Sequence, residues 1–84
     1  MHYMRQAIQT KYHGPTNVRS ARVSARASSG RIMVEWDHRL NVEENHRAAA
    51  AKLADKMGWK EPMIGGGLPG PGYVFVFCTK ERDV

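Results

Sequence analysis

Seven cations stand in the first 41 residues: Arg5, Lys11, Arg19, Arg22, Arg26, Arg31 and Arg39. Only Glu35 and Asp37 oppose them there, so this half carries a net +5; residues 42–84 balance six cations against six carboxylates. The whole charge excess of the chain, +5 at neutral pH, therefore sits in one half, and arginine dominates it. A guanidinium is a planar fork that fits a phosphate and a flat face that stacks on a base. The chemistry implied is recognition of a polyanion, nucleic acid first. A basic face that only keeps the protein dispersed has the same composition.

Other reactive residue types point to no reaction. His2, His13, His38 and His46 show no metal-ligand spacing. His46 lies on the apolar stripe of a helix, where a satisfied core or boundary histidine is the ordinary reading. His38, His46 and Glu43 could gather at the start of that helix, but nothing marks them as a catalytic group. Cys78 is the single cysteine. It excludes an intramolecular disulfide and a Cys-rich zinc site, and it fits a reducing cytoplasm and a buried apolar role. No serine or cysteine stands in a nucleophile motif. No enzyme, no metal and no cofactor is expected.

The elements that must position these residues start from Gly72-Tyr73-Val74-Phe75-Val76-Phe77-Cys78. Aromatic and β-branched residues alternate here at strand period, with Tyr73, Phe75 and Phe77 on one side and Val74, Val76 and Cys78 on the other. A strand apolar on both sides belongs in the middle of a covered sheet. A chain of 84 residues has little to cover the second face. A second subunit or a flat-faced ligand is therefore expected there.

Gln6 to Tyr12 reads as a first strand, with Ile8, Thr10 and Tyr12 on one face and Ala7, Gln9 and Lys11 on the other. Gly14-Pro15 breaks it. Arg19 to Ser28 and Arg31 to His38 read as a hairpin. Matching their apolar faces pairs Ala27 with Ile32, Ala25 with Val34 and Val23 with Trp36. The same register sets Arg22 opposite Asp37 and Ser24 opposite Glu35. Arg22 and Arg26 then share a face about 13 Å apart at strand rise. Asn41 is a helix N-cap, with Glu44 completing a capping box and Gly58 at the far end. The inward stripe is Val42, His46, Ala49, Ala50, Leu53 and Met57. Trp59 to Ile64 is an edge strand or an irregular link, given Pro62. Residues 65–72, with five glycines and two prolines, read as a flexible turn region. They are not a P-loop, because Gly72 opens a strand and no Gly-Lys-Ser/Thr opens a helix. The order β-β-β-α-(β)-β makes one domain, 1–84, of the α+β class: one mainly antiparallel sheet with a single helix packed on one face. Residues 1–5 and 80–84 are expected to be flexible.

The last strand partly matches the RNP1 signature of RNA-recognition domains at Gly72, Tyr73, Phe75 and Val76. Pro71, Val74 and Cys78 depart from it, and one helix stands where that fold has two, so membership is rejected. A second resemblance covers more of the chain. Ala7-Ile8-Gln9-Thr10-Lys11-Tyr12-His13-Gly14-Pro15-Thr16-Asn17, then Glu44-Asn45-His46-Arg47-Ala48-Ala49-Ala50, then Gly66-Gly67-Leu68-Pro69 and Gly72-Tyr73-Val74-Phe75-Val76-Phe77 resemble a family of small uncharacterised proteins carried on bacterial plasmids, phages and integrated elements. The resemblance implies a cytoplasmic accessory protein of mobile DNA, with no activity attached.

The expected function is nucleic-acid binding, DNA before RNA, weakly sequence-selective and by a homodimer. Lys11, Arg19, Arg22, Arg26 and Arg31 would contact phosphates, and Tyr12 or Tyr73 would stack on a base, at about 1–3 kcal/mol per base. Trp59, Phe75 and Phe77 would form the subunit interface. The alternative is a protein-interaction module acting on a host protein through Tyr73, Trp59 and the 65–72 loop. No run reaches membrane-spanning length, and the first residues lack a signal-peptide core.

Overall fold

The computed structural model describes residues 7–60, 62–70 and 72–77. The expected flexible ends and Cys78 lie outside them. Five strands and one helix follow in the order β1 (Ile8–His13), β2 (Arg22–Ala27), β3 (Gly30–Glu35), α1 (Val42–Met57), β4 (Met63–Gly67) and β5 (Gly72–Phe77). One antiparallel sheet runs in the spatial order β3-β2-β1-β5-β4. The helix crosses one face, giving the α+β architecture that the order of elements predicts. β5 is an interior strand, as its pattern requires, but β1 holds the middle of the sheet.

The helix is bounded by its own residues. The Asn41 side chain accepts from Glu44 N at 2.8 Å, and the Glu44 carboxylate accepts from Asn41 N at 2.9 Å. Each satisfies a backbone donor that the first turn leaves open. Gly58 closes the far end at φ 77°, its N–H reaching the Ala54 and Asp55 carbonyls. Ala49, Ala50, Leu53 and Ala54 meet Ile8, Val23, Ala25 and Phe75 in the core. The alanines carry no bulk, so the helix axis comes close to the sheet. Each large aliphatic buried here, such as Ile8 or Leu53, contributes about 1.5–3 kcal/mol by leaving water. Val42, predicted to face inward, is half exposed at the first turn.

Two expectations change. The hairpin closes through two residues, Ser28 and Ser29, so Ala27 pairs with Gly30, Ala25 with Ile32 and Val23 with Val34. This is a slip of two positions from the predicted register. An even slip keeps every side chain on its face, so face matching cannot detect it. Residues 65–67 are strand rather than flexible turn. Gly65, Gly66 and Gly67 pair with Phe75, Val74 and Tyr73. A Cβ on Gly65 would lie 2.5 Å from Cε2 of Phe75. The glycine is thus the space into which the opposite ring folds.

Candidate functional site

Among the described residues no element covers the sheet face away from the helix, and registry places the basic residues on it in rows. Gln9, Arg26 and Arg31 are consecutive neighbours across β1, β2 and β3. Lys11, Ser24 and Met33 form the next row, and His13, Arg22 and Glu35 the third. Strands lie about 4.8 Å apart, so neighbours in a row are within one ligand's reach. Gln9, Lys11, His13, Ser24, Arg26 and Arg31 line a shallow depression of about 310 Å³. Glu35 is the single carboxylate on this face among the described residues.

The register decides how free these cations are. Asp37, expected opposite Arg22, is bound instead by Arg39, Nη2 to Oδ2 at 3.0 Å. The Arg39 side chain and backbone hydrogen bonds hold the Asp37 carboxyl below the ordinary range. Arg22 now faces Glu35, yet makes no ion pair with it; its Nη1 donates to the Ser20 carbonyl at 3.2 Å and its Nε is buried without a partner. Arg26 and Arg31 stand directly opposite each other, and neither has a carboxylate partner among the described residues. Like charges at directly opposed positions weaken a sheet. An anion between them removes that repulsion. His13 sits at the margin, its Nε2 paired with Ser24 Oγ at 3.0 Å. Burial first, then the charges of Arg22, Lys11 and Arg31, lower its pKa. Arg19 is exposed in the β1–β2 connection, where its N–H donates to Thr16 Oγ1 at 3.0 Å.

The aromatic half of the predicted site lies elsewhere. Tyr12 and Tyr73 are on the helix side of the sheet, opposite Lys11, Arg22, Arg26 and Arg31. The structure therefore does not bring the tyrosines and the phosphate-binding cations together. Nor do the aromatics of β5 form a free interface. Phe75 is 3% exposed in the core, under the Arg47 guanidinium at 5.4 Å. Phe77 is packed edge-on against Trp59, centroids 5.4 Å apart. What β5 presents to the open face is Val74 and Val76, with Ile64 beside Val76 on β4. Val76 and Ile64 are 46% and 56% exposed, so the open face is basic on one half and apolar on the other.

Tyr12 and Tyr73 instead line a cavity of about 650 Å³ at the end of the sheet, between β1, the start of α1 and the β4–β5 connection. Trp36 and His46 join them. Tyr12 meets Trp36 edge-on at 5.1 Å between centroids, and His46 lies 4.4 Å from Tyr73. His46 is 1% exposed, its Nδ1 2.7 Å from Thr10 Oγ1. The Thr10 hydroxyl in turn donates to the Tyr73 carbonyl at 3.4 Å. A hydroxyl has one proton: where Thr10 gives it to the Tyr73 carbonyl, His46 Nδ1–H is the donor to Thr10 and Nε2 is an acceptor, and where Thr10 gives it to Nδ1 the ring carries its proton on Nε2. Burial lowers the His46 pKa below its ordinary value, which favours the uncharged ring. Gly72 is required beside it: a Cβ there would lie 2.8 Å from the Thr10 carbonyl oxygen. The sequence pattern identifies His46 as inward-facing but carries no sign of its bond to Thr10, 36 positions away.

Among the described residues, no three His, Cys, Asp or Glu side chains cluster as a metal site would require, and no helix is long and apolar enough to cross a membrane. Set against known protein families, curated proteins and solved structures, the chain finds no match in any of the three.

Proposed function

We propose that this protein binds nucleic acid, DNA in the first place, across the open face of β1, β2 and β3. The observation that carries the reading is the Arg26–Arg31 pair, two arginines directly opposite in register with Lys11 one row away and no carboxylate partner for either among the described residues. Contacts to phosphate from such a face read charge and spacing, so sequence selectivity is weak. The resemblance to proteins of plasmids and phages agrees with an accessory role on mobile DNA.

The test is a titration of fluorescently labelled duplex against salt. Affinity is expected to fall by about 0.9 log units per phosphate contact for each tenfold rise in salt. Arg26→Ala with Arg31→Ala should flatten that slope by about one unit per lost contact. No binding at low salt, or an unchanged slope in the double variant, overturns the reading.

The Ile64–Val76 patch favours a second reading, a protein-interaction face, with a second copy of the chain as its simplest occupant. Val76 and Ile64 are neighbours in register and both well exposed. Light scattering at rising concentration should then show a dimer that Val76→Lys converts to monomer. A mass that stays monomeric at every concentration removes this reading.

A further inference from the structure

The cavity at the end of the sheet belongs to neither reading above, and its lining has a definite chemistry. Its aromatic walls are Tyr12, Trp36, His46 and Tyr73, with Leu68 from the β4–β5 connection. No lysine, arginine or carboxylate lines it among the described residues. A cage of rings often takes an ammonium group. Here no carboxylate supports a cation, and the chain itself carries +5. What the lining offers is flat apolar faces and a few polar side chains, His38, Tyr12 and Tyr73 among them, with His46 the buried one; its Nε2 has no partner among the described residues. A concave, mostly apolar site with a small number of polar groups is the usual form of a small-molecule pocket. A volume of about 650 Å³ holds a bicyclic ring with a substituent.

We infer that this cavity binds a neutral planar heteroaromatic ring bearing an N–H donor, of the nucleobase class, stacked on Tyr12, Trp36 or Tyr73 and hydrogen-bonded to Nε2 of His46. Thr10 is the positioning residue: in the tautomer this inference requires, its Oγ1 accepts a hydrogen bond from Nδ1–H, which holds the ring so that the lone pair of Nε2 is the one presented. The inference does not rest on the basic face, which lies on the other side of the sheet. Free bases and bases within a single strand share this chemistry, and the experiment separates them.

The protein has two tryptophans, and Trp59 packs on Phe77 outside the cavity lining. Trp59→Phe therefore leaves Trp36 as the reporter. Adenosine should quench its fluorescence to saturation, with a dissociation constant of about 1 mM or below. 6-Dimethylamino-9-methylpurine keeps the ring and lacks every N–H, and it should bind at least tenfold more weakly. In the same background, His46→Asn retains a partner for Thr10 and removes the Nε2 acceptor, and it should weaken adenosine by a similar factor. If that variant fails to fold, the purine pair on the parent protein decides alone. A short single-stranded oligo(dA) that binds more than tenfold tighter than adenosine supports the inference with polynucleotide as the source; equal affinities support it with the free base or nucleoside. Absence of quenching by every purine, equal binding of the N–H-free analogue, or saturation by tetramethylammonium alone overturns it.

Discussion

At the scale of single residues, Asn45 does more than its place in a helix suggests. It is 4% exposed, and its Oδ1 accepts from Asp37 N at 2.8 Å. Its Nδ2 reaches the Asp37 carbonyl at 2.9 Å and the Asn41 carbonyl at 3.1 Å. One amide thus satisfies the backbone of the connection from β3 to α1 and fixes where the helix begins. Asn45→Ala leaves the part-buried Asp37 N–H without its partner, a cost of about 1–3 kcal/mol, while the Asp37 and Asn41 carbonyls keep the backbone N–H groups of Leu40 and Asn45. The urea midpoint should fall accordingly, and an unchanged midpoint would mean that water replaces the amide. An asparagine four residues past the cap carries no such signal in sequence, because its partner at Asp37 is fixed only by the turn of residues 37–40. The capping box, by contrast, is local: Asn41 and Glu44 satisfy each other within one turn, and their types and spacing predict both bonds.

At the scale of elements, β4 shows what composition conceals. Three consecutive glycines read as a flexible turn, because glycine costs a strand entropy and offers no side chain. They are strand because Phe75 fills the space that a side chain at Gly65 would take. Gly65→Ala should push that buried ring from its site and cost about 1–3 kcal/mol, measured by thermal melting. A melting temperature that rises would show that the ring has room to move. The β2–β3 hairpin makes the complementary point. Its faces are legible from alternation, but the tight Ser28–Ser29 loop selects the register. That choice sets Arg26 against Arg31 and frees Arg22 from Asp37, so the charge pattern of the open face follows from the length of a turn.

At the scale of the whole molecule, both described histidines with shifted pKa values resist protonation. Burial lowers His46, and burial with the neighbouring cations lowers His13, both from the ordinary value of 6.5. The unfolded chain takes up these protons near pH 6.5, while the folded chain takes them up only at lower pH. Their stability contribution is therefore complete above that value and is lost as pH falls below it. The urea midpoint should drop between pH 7.5 and pH 5.5, and His13→Asn should reduce the drop; a flat profile contradicts the burial described here. Asp37 acts in the same direction at lower pH, below its ordinary 3.8, through its bonds to Arg39. Bound nucleic acid would oppose the loss at His13, since phosphate favours the charged imidazole.

The sequence by itself determined what depends on neighbours along the chain: the strand alternation, the helix and both its caps, the α+β order, and the one-sided surplus of arginine. Each is set within a few residues by backbone geometry and side-chain type. Tertiary structure alone decided what depends on which strands become neighbours. It put the tyrosines and the arginines on opposite sides of one sheet, paired Arg26 with Arg31, and joined His46 to Thr10 at the wall of a cavity. Side-chain period fixes a residue's face but not its position along the partner strand. Contacts across the sheet, and the sites they build, follow from the second.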